Sequence, residues 1–177
     1  MTNRTRRQLL KGLAGTAGLL AANTGWTQSP PQSAANAATL PAIGSLLELP
    51  EVALFDGSVF RPAQARNQIL VIYWWASWCP FCALQSPYMD KLWRDQRANG
   101  LQMLTLSIDR KPEDATAYLK KKGYVFPAGQ MTTEVARSLP KPKGLPVTLV
   151  RGRDGRVLMA ESGQLFQEDA DYIAALL

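Results

Sequence analysis

The sequence predicts an α/β domain in which a central mixed sheet is flanked by helices and preceded by an N-terminal hairpin extension. Three observations carry this. Residues 69–75 form a continuous apolar and aromatic run of strand length, the pattern of a strand buried on both faces of a parallel sheet. Residues 101–108 form a second such run, and the segment between the two has helical spacing. Finally, residues 147–150 and 157–160 are joined by Arg151-Gly152-Arg153-Asp154-Gly155, whose Asp-Gly pair signals a hairpin and hence an antiparallel edge. A parallel pair covered by helices, with an antiparallel edge, is a layered α/β domain.

Each element follows in chain order. Asp56-Gly57 separates Val52-Ala53-Leu54-Phe55 from Val59-Phe60, a hairpin. After the 69–75 strand, Leu84, Tyr88, Leu92 and Trp93 recur at helical spacing and predict a helix ending near Gly100, kinked at Pro87. The 101–108 strand comes next. Pro112 suits a first helical position, with Glu113 and Asp114 in the positive first turn. Lys120, Lys121 and Lys122 fall in the negative last turn, and Gly123 supplies a left-handed cap. The lysine run is therefore a solvated helix end, not a functional basic patch. A short helix is expected over 133–138, then the second hairpin, then a helix over 168–177. No internal repeat is present.

At 177 residues, with 46% hydrophobic and 19% charged residues, the chain has the length and composition of one globular domain. Its net charge of +6 belongs mainly to Arg4, Arg6, Arg7 and Lys11, since no acidic residue precedes Glu48. Residues 39–177 carry 16 Lys/Arg against 14 Asp/Glu, a net +2 that gives no case for nucleic-acid binding. The expected organisation is a leader over 1–38 and a folded domain over 39–177.

The leader has basic residues first, then a mildly apolar stretch over 12–22, then a Pro/Ser/Ala-rich stretch. That apolar stretch is about half the ~20 residues a membrane-spanning helix needs. Thr5-Arg6-Arg7-Gln8-Leu9-Leu10-Lys11 resembles the twin-arginine export signal, and Ala35-Asn36-Ala37 offers a small-x-small cleavage site. An ordinary secretory signal with a chance Arg pair is the alternative. No cysteine precedes Cys79, which leaves no lipoprotein anchor. The expected destination is the periplasm, where disulfides persist.

The two cysteines of the chain are spaced Cys79-Pro80-Phe81-Cys82, at the join between a buried strand and a helix. A thiol at a helix N-terminus faces unpaired N–H groups and the positive end of the dipole, which stabilise its thiolate. Cys79 is thus the candidate nucleophile. Cys82, about one turn further on, is placed to attack a mixed disulfide and release product. A purely structural disulfide would close a very small loop and constrain the unfolded chain little. Zinc as a rule takes four ligands, and the chain has no His and no further Cys. Two thiolates remain compatible with Cu(I) carriage. Ala83 after Cys82 excludes covalent haem attachment.

With these residues in place, the chain resembles the thioredoxin superfamily, in particular its periplasmic TlpA/ResA-like branch. The resemblance rests on Tyr73-Trp74-Trp75-Ala76-Ser77-Trp78-Cys79-Pro80-Phe81-Cys82, on Ser86-Pro87-Tyr88-Met89 and on Gly144-Leu145-Pro146-Val147-Thr148. It implies a thioredoxin-like fold, no cofactor or metal, and catalysis by Cys79 and Cys82. It also implies a cis Pro146 packed beside the disulfide, with the backbone of Leu145 pairing with an extended substrate. Trp75 and Trp78 would stand around the active-site surface, with Pro80 and Phe81 between the cysteines. The partners implied are protein disulfides or thiols and a membrane thiol–disulfide electron donor, the protein itself being a monomer.

Two departures stand out. Tyr73 occupies the position at which thioredoxins carry a buried Asp, and Gln85 the position at which ResA-like proteins carry Glu. The candidates for deprotonating Cys82 are then water or a more distant acid such as Asp109. The leading expectation is a reductant of protein disulfides, with cytochrome c maturation or metal-centre assembly as the client pathway. A disulfide-introducing oxidant is the rival of the same class, and a Cu(I)-binding carrier the non-enzymatic one. A peroxidase of the peroxiredoxin type would need a Thr-x-x-Cys environment, whereas Ser77 and Trp78 precede Cys79.

Overall fold

Seven consecutive apolar and aromatic residues make strand β3 (Ile69–Trp75), and every one of them is buried. A strand with no polar face must be covered on both sides and paired on both edges. The computed structural model, which describes residues 39–177, meets both demands. The expected leader lies outside the described residues.

On one edge β3 pairs in parallel with β4 (Leu101–Ser107), from Ile69 opposite Leu101 to Trp75 opposite Ser107. On the other it pairs antiparallel with β6 (Val147–Arg151), from Leu70 opposite Arg151 to Trp74 opposite Val147. Outside these lie β5 (Ala128–Gln130), parallel to β4, and β7 (Val157–Ser162), antiparallel to β6. The result is a five-stranded mixed sheet of order β5-β4-β3-β6-β7. The N-terminal hairpin, β1 (Val52–Ala53) with β2 (Val59–Phe60), forms a separate small ladder.

Side chains of β3 alternate between two cores, as the two-residue strand period requires. Val71, Tyr73 and Trp75 face helix α1 (Pro80–Gln96) and helix α4 (Gln167–Ala174), meeting Met89, Leu92 and Ile173. Leu70, Ile72 and Trp74 face the other way, toward Val52 and Phe60 of the hairpin and Val135 of α3 (Thr133–Ser138). Helix α2 (Pro112–Lys122) starts at Pro112 and ends at Gly123, whose φ of 70° is left-handed, as its cap residues predict. Among the described residues, no helix is long and apolar enough to cross a membrane.

Three details differ from the sequence reading. The expected apolar stripe of α1 included Leu84, which is 56% exposed. The buried face is instead Cys82, Gln85, Ser86, Met89, Asp90 and Leu92, a face that is half polar because its polar members are hydrogen-bonded across the core. Pro87 lies within a continuous helix, at an exposed position. Strand β5 is three residues long, Ala-Gly-Gln, and too short to show alternation; it exists because β4 offers it an edge.

Glycine at position 129 has a packing reason. Leu54 bridges to Gly129, and a Cβ built there would stand 2.6 Å from the Ala53 carbonyl oxygen and 2.8 Å from Val52 Cγ1. The hairpin therefore rests directly on the β5 backbone. Gly129→Ala is expected to destabilise the domain by about 1–3 kcal/mol, the usual cost of overpacking. Urea unfolding monitored by tryptophan fluorescence checks this, and an unchanged midpoint would mean the hairpin does not contribute to the fold.

Candidate active site

Strand β3 ends at Trp75, and the chain turns through Ala76–Cys79, closed by the Cys79 N–H donating to the Ala76 carbonyl at 3.2 Å. Cys79 is the N-cap of α1, with extended φ and ψ of −84° and 116°. The Cys82 N–H donates to Cys79 Sγ at 3.2 Å, so sulfur takes the place a Ser or Asp oxygen fills at an ordinary N-cap. Pro80 sits at the first helical position, where its missing N–H costs no hydrogen bond. Cys79 and Cys82 are joined as a disulfide with their Cα atoms 5.2 Å apart. Both cysteines are buried, while Trp78 and Phe81 beside them are 65% and 57% exposed.

The β3–β6 register, Trp74 opposite Val147, carries the chain just before β6 to the same end of the sheet. The Leu145–Pro146 peptide bond there is cis, Pro146 is buried, and half-buried Leu145 packs against the core cluster that contains both cysteines. Trp75 stands apart from this surface. It is fully buried, its Nε1–H donates to Thr105 Oγ1 at 3.2 Å, and its ring packs on Tyr118 and edge-on to Phe126.

Beneath the disulfide the side chains are neutral and hydrogen-bonded. The Tyr73 hydroxyl lies 3.0 Å from Ser86 Oγ and donates to the Cys82 carbonyl at 3.3 Å. Burial pushes its pKa well above the ordinary 10.0, so the group stays a phenol throughout the working pH range. Gln85, fully buried, donates from Nε2 to Thr148 Oγ1 at 2.8 Å and accepts the Leu165 N–H at 2.8 Å on Oε1. One side chain thus ties the helix of Cys82 to β6 and to the segment leading into α4. Both positions that the resemblance expects to be acidic are braces here.

Asp109, the distant acid singled out from sequence, is buried and engaged elsewhere. Its carboxylate accepts from the Ser77 N–H at 3.0 Å, from Ser77 Oγ at 2.7 Å and from Ser107 Oγ at 2.7 Å. It fixes the turn two residues before Cys79. Asp90, the other buried carboxylate, pairs with Arg94 and accepts the Val125 N–H. Sequence spacing could not reveal the partners of Gln85 and Ser77, because those contacts span the domain and depend on strand register.

A buried Cys-x-x-Cys disulfide whose first cysteine caps a helix at the end of a mixed sheet, with a cis X–Pro bond at the same sheet end, defines a thioredoxin-fold protein. The chain belongs to the AhpC/TSA family, whose model matches residues 46–158, and within the thioredoxin superfamily it is ResA-like. The thiol-disulfide oxidoreductase ResA of Geobacillus kaustophilus is 23% identical over 135 residues, covering 75% of this chain and 76% of that protein. The crystal structure of a thioredoxin-family thiol:disulfide interchange protein from Chlorobium tepidum superposes with a TM-score of 0.69 at 21% identity. That match covers 76% of this chain and 97% of that one. A secreted disulfide oxidoreductase of Mycobacterium tuberculosis superposes with a TM-score of 0.62 at 15% identity, covering 72% of this chain and 95% of that one.

The buried phenol of Tyr73 and the half-buried phenol of Tyr124 set an alkaline limit on stability. Burial raises the pKa of Tyr73, and burial together with the nearby Tyr118 and Asp90 pushes that of Tyr124 up to about 12. The folded chain therefore holds these protons after the unfolded chain, with ordinary values near 10.0, has released them. Stability contributed this way is complete below pH 10 and falls as pH rises beyond it. Urea unfolding between pH 9 and 11.5 is expected to show that decline, and Tyr73→Phe to make it shallower. A decline equally steep in Tyr73→Phe would contradict the assignment.

Proposed function

We propose that this chain is an exported thiol–disulfide oxidoreductase that reduces disulfides of client proteins through Cys79 and Cys82. The observation that carries the reading is the Cys79–Cys82 disulfide at the N-terminus of α1, with Cys79 Sγ taking a helix N–H. The same donors and the helix dipole stabilise the thiolate of the reduced form. Family membership and the ResA relative support the oxidoreductase class.

In the reaction, the Cys79 thiolate attacks one sulfur of a client disulfide. A Cys79–client disulfide forms and the first client sulfur leaves as thiolate. Cys82 sulfur then attacks Cys79 Sγ, forming the Cys79–Cys82 bond and releasing the second client sulfur. The two client sulfurs gain two electrons and two protons, and the dithiol loses the same. The proton of Cys82 passes to solvent or to the departing client thiolate, since Asp109 and Asp90 are engaged elsewhere. Exposed Trp78 and Phe81 border the point of attack, and Pro80 and the Leu145–Pro146 bond complete the site. Trp75 supports it from the core.

The leader over 1–38, with its Arg6-Arg7 pair, supports delivery of the 39–177 domain to the periplasm by the twin-arginine route. There the dithiol would be regenerated by a membrane thiol–disulfide donor, because an oxidising compartment does not keep thiols reduced. Cytochrome c maturation or metal-centre assembly would supply the clients. The domain acts as a monomer and needs no cofactor.

Insulin disulfide reduction in the presence of dithiothreitol tests the mechanism. Cys79→Ser is expected to abolish turnover, whereas Cys82→Ser is expected to accumulate mixed disulfides with insulin chains, visible on non-reducing gels. Full turnover by Cys82→Ser would overturn the two-cysteine scheme.

A further inference from the structure

We propose that Lys141 and Ser162 are positioning residues that hold the loop before β6 so that the backbone of Leu145, the one residue there whose carbonyl is left open, is presented to the client. The proposal rests on the oxidoreductase reading above, in which the Leu145 backbone meets the client, and assigns the residues that hold that backbone in place. Lys141 Nζ donates to the Pro142 carbonyl at 2.6 Å and to the Gly144 carbonyl at 2.7 Å. Ser162 Oγ, reaching across from the end of β7, donates to the Lys143 carbonyl at 2.9 Å. The Gly163 N–H donates to the Pro146 carbonyl at 2.9 Å. The carbonyls of 142, 143, 144 and 146 are thus all occupied from within the chain. Among the described residues, neither the N–H nor the carbonyl of Leu145 has such a partner.

That selection has a consequence for binding. A half-buried backbone with one unpaired donor and one unpaired acceptor is a template for a single residue of extended polypeptide. Neighbouring carbonyls, being already bonded, do not compete for the client's N–H groups or shift its register. The Lys141 ammonium is suited to the task because it is half-buried and its hydrogen bonds go to carbonyl oxygens rather than to a carboxylate. Charge-assisted bonds of this kind are shorter and stronger than neutral ones. Partial burial also pushes the pKa of Lys141 down, in keeping with an ammonium drawn against the loop.

Glycine at 144 belongs to the same device. Its φ of +87° is left-handed, and a Cβ there would lie 2.7 Å from Ser162 Oγ, displacing the hydroxyl that reaches Lys143. The loop therefore needs a residue without a side chain at 144, a hydroxyl at 162 and a long cation at 141. These three positions come together only through the β6–β7 hairpin, in which Val147 pairs with Ser162.

The test separates docking from disulfide chemistry. For wild type, Lys141→Met and Ser162→Ala, insulin reduction gives kcat and KM. Equilibration with dithiothreitol gives the dithiol potential, and stopped-flow fluorescence gives the rate of reduction by that small thiol. Both variants are expected to raise the KM for insulin about fivefold or more, leaving kcat, the potential and the small-thiol rate unchanged. Gly144→Ala should behave like Ser162→Ala. An active wild type whose KM is matched by both variants would overturn the clamp while leaving the oxidoreductase reading intact. A KM change accompanied by a shifted potential would also overturn it, by assigning the residues to the disulfide instead of the loop. A wild type that reduces no insulin would overturn the reading and the inference with it.

Discussion

The placement of Cys79 as the N-cap of α1 is the constraint on which the site depends. A helix start leaves backbone N–H groups without internal partners, and here one of them points at a sulfur atom. For that to hold, the strand feeding the turn and the helix leaving it must both be fixed. Strand β3 is fixed by burial on both faces and pairing on both edges. Helix α1 is fixed by Gln85 and Tyr73, which tie its first two turns to β6, to the segment before α4 and to β3 itself. Asp109 then pins Ser77, so the turn between strand and helix is held from β4 as well.

The two braces on α1 are neutral side chains, and the buried carboxylates Asp90 and Asp109 are engaged by other donors. Tyr73 and Gln85 each satisfy their polar atoms inside the core, which low-dielectric surroundings make a condition of burial. With a phenol and an amide in place of potential acids, neither of those two positions carries a group that titrates near neutral pH. In the proposed mechanism, proton movement is left to the sulfurs, the solvent and the client, and the helix start supplies the activation of Cys79.

The parts of this arrangement that were legible in the sequence are those encoded locally. The run of seven apolar residues announced β3, the Asp-Gly pairs announced the hairpins, and Pro112 with Gly123 bracketed α2. The cysteine pair and the Gly-Leu-Pro-Val-Thr segment read as two halves of a candidate site, and the fold brings them to the same end of the sheet. What stayed hidden was encoded by register. Gln85 finds Thr148 and Leu165, and Ser162 finds Lys143, only once the sheet is assembled. Leu84 misled because spacing alone cannot tell which face of a helix is covered when the covered face carries bonded polar residues. Strand β5 had too few residues to show a period.

Direction of electron flow is the central claim, and the equilibrium potential of the Cys79–Cys82 pair tests it most directly. The pair would be equilibrated against glutathione and dithiothreitol buffers, with the tryptophan fluorescence of the chain as the readout. A reductant of protein disulfides requires a value near the ~−270 mV of thioredoxin or lower. A value near the ~−120 mV of DsbA would contradict the account and make the chain a disulfide donor.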